Sequence, residues 1–172
     1  MTADDFVSRL RAAQPTRISL RSAGVPEEII DEIRASYCFV RRQRPQGLQG
    51  HDPVIDLLDR YDASTVDIGS IKFRATPQPQ RCRDGIPVLI FADFEADALA
   101  LDDSSHQIWS LDGCKLSFVM MTLAQDGGRF FDALIYLVET KGTSVESGQI
   151  ARRCAELAGS DAAIGFYQML VG

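Results

Sequence analysis

The chain has few of the residues on which acid–base and metal chemistry depend. It contains only two histidines, His51 and His106, and neither stands in an arrangement with cysteine, serine or carboxylate that would define a catalytic triad. Its four cysteines lie far apart, at positions 38, 82, 114 and 154, with no C-x-x-C pair and no histidine cluster beside them. This spacing argues against a zinc site and is typical of reduced thiols.

Long apolar runs are also missing. No stretch approaches the roughly 18 to 20 apolar residues that a membrane-spanning helix needs. The opening segment, MTADDFVSRLRAAQ, has early acids and no apolar core, so it does not resemble a secretory signal. We therefore expect a cytoplasmic protein without a membrane partner, and its 172 residues fit one domain, residues 1–172.

Glycine-rich and nucleophile motifs are absent as well. The chain has no Walker loop, no G-x-G-x-x-G, no G-x-S-x-G and no H-E-x-x-H. These absences favour a protein that is not an enzyme and that binds no cofactor.

Basic residues are lacking in the middle of the chain. Residues 84–113 contain seven carboxylates and neither lysine nor arginine, although the whole chain has a net charge of -6. The acidic balance disfavours nucleic acid as a partner, because binding to phosphates depends on clustered basic residues. The strongest basic cluster is RRQRPQGLQGHDP, at residues 41–53, which we interpret as a solvated surface loop or, less simply, as a contact for an anion or partner.

Apolar periodicity predicts helices in both terminal parts of the chain. Thr2 and Asp5 resemble a capping box before a first helix, and Pro26 suits the first turn of a helix with the apolar stripe Ile29, Ile30 and Ile33. After the first helix, at residues 3–13, and the one that begins at Pro26, we predict helices at residues 53–61, 129–141, 144–157 and 160–170, with Ser160 as the last N-cap.

Alternating patterns predict strands in between. They fall at residues 68–75, 87–92, 95–101 and 107–111, while TPQPQRCRDG, residues 76–85, is predicted to be a loop. CKLSFVMMTLA, residues 114–124, fits a further buried strand or the approach to a helix. Helices, then strands, then helices indicate an α+β fold, with an antiparallel β-meander of about four to six strands and helices packed on one side.

The acidic residues of the meander are the candidate site. Asp93, Glu95 and Asp97 alternate, so on a regular strand they would project from one face. A calcium loop needs a tight turn with glycine, which is missing here, and a glycosidase needs a defined separation of its carboxylates that spacing does not provide. We are left with a charged face that keeps the sheet soluble or one that binds a protein.

Three stretches resemble the SUKH superfamily, which contains bacterial immunity proteins and the yeast Smi/Knr-type cell-wall regulators. They are SLRSAGVPEEIIDEI, IPVLIFADFEADALALDDSSHQIWSLD and GGRFFDALIYLVE, and together they span roughly residues 18–140. The chain has Glu95-Ala96-Asp97 where the family frequently has a glycine. On this resemblance, residues 144–171 would be a helical carboxy-terminal extension.

The resemblance implies a non-enzymatic partner protein that binds and neutralises a toxin domain, often a nuclease or deaminase. Such toxin domains are commonly basic, so an acidic face would steer the association. The expected binding residues are Asp93, Glu95, Asp97, Asp102 and Asp103, without a metal or cofactor. An intracellular adaptor for endogenous proteins is the alternative, and a carboxylate-based hydrolase ranks last.

Overall fold

A six-stranded antiparallel sheet forms the centre of the protein. The computed structural model describes residues 1–82 and 85–172. Each strand of the sheet pairs with the next along the chain, in the order β3-β4-β5-β6-β7-β8, which is a meander. These strands are β3 (Asp67–Ile68), β4 (Ile71–Arg81), β5 (Pro87–Phe94), β6 (Asp97–Asp102), β7 (Ile108–Leu111) and β8 (Val119–Ala124).

Helices precede and follow the sheet. The bounds are α1 (Ala3–Ala12), α2 (Arg17–Ser22), α3 (Glu27–Ala35), α4 (Pro53–Arg60), α5 (Gly127–Thr140), α6 (Ser147–Ala158) and α7 (Ile164–Val171), with a short 3-10 turn at Asp161–Ala163. A small two-stranded pairing joins β1 (Val40–Arg41) to β2 (Tyr61–Asp62). The predicted α+β class, with a meander and helices at both ends of the chain, is confirmed.

The helices pack on one face of the sheet, where the main core lies. Phe91 and Leu99 of the sheet meet Phe6 of α1 and Phe130 and Phe131 of α5 in this core. The rings of Phe6 and Phe131 stack with their centroids 4.1 Å apart. The carboxy-terminal helices belong to the same core, so they complete the domain instead of extending away from it.

The opposite face of the sheet has a smaller apolar cluster of its own. Val88 and Ile90 of β5 and Ala98 and Ala100 of β6 alternate with the residues that face the helices. Trp109 contributes to this second cluster and is buried, as its large apolar area predicts. Both sides of the central strands are therefore apolar, and polar groups are displaced to the ends of the strands.

Asp52 joins the amino-terminal ends of two helices. Its Oδ1 accepts a hydrogen bond from the Val54 N–H of α4 at 2.8 Å, and its Oδ2 accepts one from the Gly127 N–H of α5 at 3.1 Å. Burial raises the pKa of this carboxyl, while the two N–H donors act in the opposite direction. A Cβ atom on Gly127 would lie 2.1 Å from Asp52 Oδ1, so only glycine permits this approach.

Several local predictions are confirmed by the hydrogen bonds they imply. Thr2 caps α1 by accepting a bond from the Asp5 N–H, and α4 begins at Pro53 as predicted. Gly159 ends α6 in the left-handed conformation, with φ of 71°. Residues 114–124 resolve into a turn followed by β8.

Three local predictions are wrong. TPQPQR is the second half of β4 and not a loop: Pro77 lies in the irregularity between Phe73 and Gln78, and β3 pairs only with Ile71 and Lys72, so this half of β4 has β5 as its one neighbouring strand. The Ser160 side chain makes no capping bond: Ser160 is the N-cap residue of the 3-10 turn before α7, and its hydroxyl donates to the Thr122 carbonyl instead. An additional helix, α2, precedes Pro26 and begins at its own N-cap, Thr16. Residues 83 and 84 of the predicted loop lie outside the described residues.

Candidate functional site: an acidic hairpin and an adjoining groove

The turn between β5 and β6 changes the geometry of the acidic residues. Phe94 pairs with Asp97, so Glu95 and Ala96 form a two-residue hairpin turn, and Glu95 has a φ of 52°. The expectation that Asp93, Glu95 and Asp97 project from one regular strand is therefore wrong. Asp93 lies on the face of the second cluster, whereas Asp97 follows the parity of Leu99 on the helical face.

Two of the five predicted residues already use their carboxylates in an ion pair or hydrogen bonds within the protein. Asp93 forms a two-pronged ion pair with Arg74 of β4, in which Arg74 Nε lies 2.9 Å from one carboxylate oxygen. Asp102 is only 3% exposed, and its carboxylate accepts bonds from the Ser104 N–H, the Ser105 N–H and the Ser105 hydroxyl. These hydrogen bonds stabilise the conformation of the β6–β7 turn.

The other three acids lie at opposite ends of β6. Glu95 and Asp97 stand at the hairpin turn, and Asp103 follows the strand at its other end. Asp102 is five positions beyond Asp97, which corresponds to about 17 Å along a strand. Burial and the neighbouring Asp102 raise the pKa of Asp103, while His106 opposes the shift. The five predicted residues thus form two separate groups.

We call Glu95 and Asp97, the two acids at the β5–β6 turn, the acidic hairpin. Neither side chain has a hydrogen bond or ion pair with any residue in the described ranges. The backbone of Gly113, just after β7, packs directly against the turn. The contact is so close that a Cβ at position 113 would lie 1.5 Å from the Ala96 carbonyl oxygen. A close backbone contact therefore positions the charges of the acidic hairpin.

A large groove adjoins the acidic hairpin, and sequence reasoning missed it. It has a volume of 1650 Å³ and runs between α2 and α3 on one side and the ends of α5 and α7 on the other. The β3–β4 turn, Gly69-Ser70, lines one end of it. Since Ile71, next to that turn, pairs with Phe94 at the end of β5, the acidic hairpin stands beside this end of the groove.

Aliphatic residues make up about half of the groove lining, and most of the others are polar, including Glu32, Asp67, Lys72 and Lys141; we call it the α2–α3 groove. From α2 and α3 it receives Leu20, Ile29 and Ile33, and from the facing side it receives Val138 of α5 and Leu170 of α7. Ile29 remains 40% exposed, although it belongs to the stripe that predicted α3. The signal in the sequence was this isoleucine stripe, which we used only to predict a helix.

The helical pair α2–α3 packs loosely on the rest of the domain. No side chain of α2 is buried, and Ile30 is the one buried side chain of α3. Its attachments include the Gln14 side-chain amide, which donates to the Arg34 carbonyl at 2.6 Å, and the Asp67 N–H, which donates to the Ser36 carbonyl at 3.3 Å. Ion pairs of Arg17 and Arg21 with acids of α3 hold the two helices to each other.

The metal-binding residue types and the two histidines are dispersed over the described part of the chain. Within the described ranges, no group of three or more histidine, cysteine, aspartate or glutamate side chains could hold a metal ion. His51 is exposed in its loop, and His106 has a φ of 60° in the β6–β7 turn. Residues 1–82 and 85–172 contain no helix with the length and apolarity needed to cross a bilayer.

Comparisons of the chain with models of protein families, with curated proteins and with solved structures returned no match.

Proposed function

We propose that this chain is a non-enzymatic, immunity-type protein of the SUKH superfamily that binds and neutralises a toxin domain. The toxin would be a nuclease or deaminase with a basic surface, met in the cytoplasm. In this proposal the chain needs no metal or cofactor and contacts neither nucleic acid nor membrane. The alternative is an adaptor that binds endogenous proteins of its own cell.

The observation that carries the proposal is the acidic hairpin. Glu95 and Asp97 sit on a supported turn, and no cation of the described residues neutralises them. Charges fixed in this way attract an oppositely charged surface without losing an internal ion pair on binding. The net charge of -6 acts in the same direction over longer distances.

The positions of the three SUKH-like stretches in the fold also support the proposal. The three similar stretches correspond to the end of α2 with α3, to β5–β7 and to α5, and the last two contain the acidic hairpin and much of the main core. A resemblance that follows successive elements of one fold is more informative than one confined to a single helix.

The ion pair of Asp93 and the hydrogen bonds of Asp102 reduce the number of acids that are free to contact a partner. Asp93 and Asp102 would have to give up the Arg74 ion pair and the β6–β7 turn bonds before they could meet a partner. We therefore assign the main electrostatic contact to Glu95 and Asp97, with Asp103 as a separate contribution from the far end of β6.

A charge-reversal experiment tests the assignment. Reversal of Glu95 and Asp97 to lysine should slow association with the product of the neighbouring gene about tenfold at low salt and reduce the salt dependence of the rate. The matched control reverses Glu146 and Asp161, two exposed acids outside the hairpin whose carboxylates also have no ion pair among the described residues, with the same change in net charge. Equal association rates for the two double variants would contradict the assignment.

A further inference from the structure

We infer that the pair α2–α3 is a hinged lid over the α2–α3 groove, which opens away from the rest of the domain as one unit while the main core stays folded. We call residues 16–36 the lid and the rest of the domain the body. The inference is independent of the proposed function, because it follows from the way in which the lid is attached to the body.

The lid contributes no side chain to the apolar clusters of the protein. Between Leu10 and Tyr37, no residue belongs to the main core or to the cluster on the opposite face of the sheet, and none is among the half-buried side chains packed against them. Ile30 is the one buried side chain of the lid and lies outside both clusters. Opening therefore exposes little apolar area beyond that around Ile30, so its cost is small compared with unfolding of the body.

The polar attachments of the lid are confined to one end. Among the described residues, no hydrogen bond or ion pair joins residues 17–33 to the body. The attachments lie where α3 returns to the body: the Gln14 amide donates to the Arg34 carbonyl at 2.6 Å, and the Asp67 N–H donates to the Ser36 carbonyl at 3.3 Å. A unit that is held at one end and free at the other opens about the held end.

The two connections of the lid have the arrangement of a hinge. Leu10 before the lid and Phe39 after it are both buried in the main core, and the ring of Phe39 lies 5.7 Å from that of Phe6. The Gln14 side chain joins the two connections, because its oxygen also accepts a bond of 3.0 Å from the Arg34 guanidinium. The body thus fixes both ends of the hinge.

Ion pairs make the two helices of the lid a single unit. Glu27 of α3 accepts two hydrogen bonds of 2.7 Å from Arg21 of α2 and one of 3.1 Å from Arg17. Across the turn between the helices, the Val25 N–H donates to the Leu20 carbonyl at 3.0 Å. The helices are therefore attached more firmly to each other than to the body.

Movement of the lid changes the groove directly. Leu20, Ile29 and Ile33 form its lid side, whereas Val138 and Leu170 belong to the body. The volume of 1650 Å³ between them is that of one lid position, and opening widens it. Access to the groove is thus regulated within the chain itself.

Hydrogen exchange of the native protein, followed by mass spectrometry, measures the opening. Helices of six and nine residues do not persist alone, so the amides of α2 and α3 exchange when the lid leaves the body. The matched control is α4, which has eight residues but four buried side chains. We expect α2 and α3 to exchange together, at least about a hundredfold faster than α4, with a weak response to urea below the unfolding transition.

A variant of the body separates lid opening from unfolding of the whole protein. Asp52→Ala removes hydrogen bonds of α4 and α5 that are intact whether the lid is open or closed. It should speed exchange of α4 about thirtyfold or more and leave exchange of the lid unchanged. Asp126→Ala, which affects α5 alone, should give the same contrast at about fivefold.

Two neighbouring isoleucines test the attachment of the lid itself. Ile30→Ala should speed exchange of α2 and α3 together about tenfold or more, because Ile30 is its one buried side chain. Ile29→Ala makes the same change at a side chain that is 40% exposed and should have little effect.

Three results would overturn the inference. The first is exchange of α3 at the rate and urea dependence of α4, and the second is an equal acceleration of lid and α4 by Asp52→Ala or Asp126→Ala, since either would mean that the lid opens only when the whole protein unfolds. The third is fast exchange of α2 while α3 stays as protected as α4, because the two helices would then not move as one unit.

Discussion

Replacement of Asp52 by alanine should destabilise the protein far more than removal of an ordinary helix cap. The Asp52 carboxylate is 4% exposed and serves the first turns of α4 and α5 at once. Alanine would leave the N–H groups of Val54 and Gly127 without this acceptor. Since these groups lie in the interior, solvent compensates them poorly.

The expected cost follows from these two bonds. A hydrogen bond to a charged group contributes about 1.5 to 3 kcal/mol, and an N-cap contributes about 1 kcal/mol. We expect Asp52→Ala to lower the free energy of unfolding by about 2 to 4 kcal/mol, because the environment relaxes partly around the loss. Asp126, the more exposed N-cap of α5, accepts one bond from the Arg129 N–H at 2.8 Å, so Asp126→Ala should cost about 1 kcal/mol.

Urea denaturation at neutral pH measures both variants against the wild type. The midpoint should fall more for Asp52→Ala than for Asp126→Ala, with unchanged slopes. Gly127→Ala should also destabilise the wild type, although alanine favours helices, because its Cβ would meet Asp52 Oδ1. In the Asp52→Ala background part of that cost should vanish. If Asp52→Ala costs no more than Asp126→Ala, the proposed coupling of the two helix ends is wrong.

Two further predictions concern titratable groups. The Tyr61 hydroxyl donates a hydrogen bond of 2.5 Å to Asp4 and holds the pKa of that carboxyl below its ordinary value of 3.8. The hydrogen bond therefore stabilises the folded protein fully above pH 3.8. This contribution is lost as the pH falls through the lower pKa that Asp4 has in the folded protein. The urea midpoints of wild type and Tyr61→Phe should therefore converge in strong acid, and a constant difference would contradict the linkage. Burial raises the pKa of Cys154 to about 12, whereas Cys114 is exposed. Iodoacetamide at pH 8 should label Cys114 in the native protein and Cys154 only after denaturation; mass spectrometry would reveal equal labelling if this is wrong.

The elements that could be predicted from sequence are those determined by local chemistry. Thr2 and Asp5 define the start of α1 within four residues, and Pro53 defines the start of α4. The alternation in β5 to β7 was sufficient to predict a meander, because short turns allow only antiparallel neighbours. In these places local preference and the final fold agree.

The positions that sequence reasoning missed depend on neighbours that are distant in the chain. Pro77 and Pro79 suggested a loop, yet the half of β4 that extends beyond β3 tolerates them, because it has a neighbouring strand on one side only. Glu95 follows an alternating pattern and nevertheless occupies a turn, because Ala96 lies against Gly113. The contact of Asp52 with Gly127 joins residues 75 positions apart, which no local pattern encodes.

The candidate site was only partly predictable for the same reason. An acidic segment is visible in composition, but the Arg74 partner of Asp93 and the burial of Asp102 become apparent only when the strands pair. The isoleucines of α3 have the spacing of a core stripe, and periodicity is the same for a stripe that lines a groove. Ile30 is buried, whereas Ile29 lines the α2–α3 groove.

The most direct test of the proposed function is a combined rescue and co-purification experiment. The chain is expressed together with the product of the gene beside its own, and survival of the cells and a stable complex are measured. We predict survival with the wild type and a complex that weakens when Glu95 and Asp97 are reversed. Neither rescue nor binding by the wild-type chain would contradict the immunity proposal and favour an adaptor for endogenous partners.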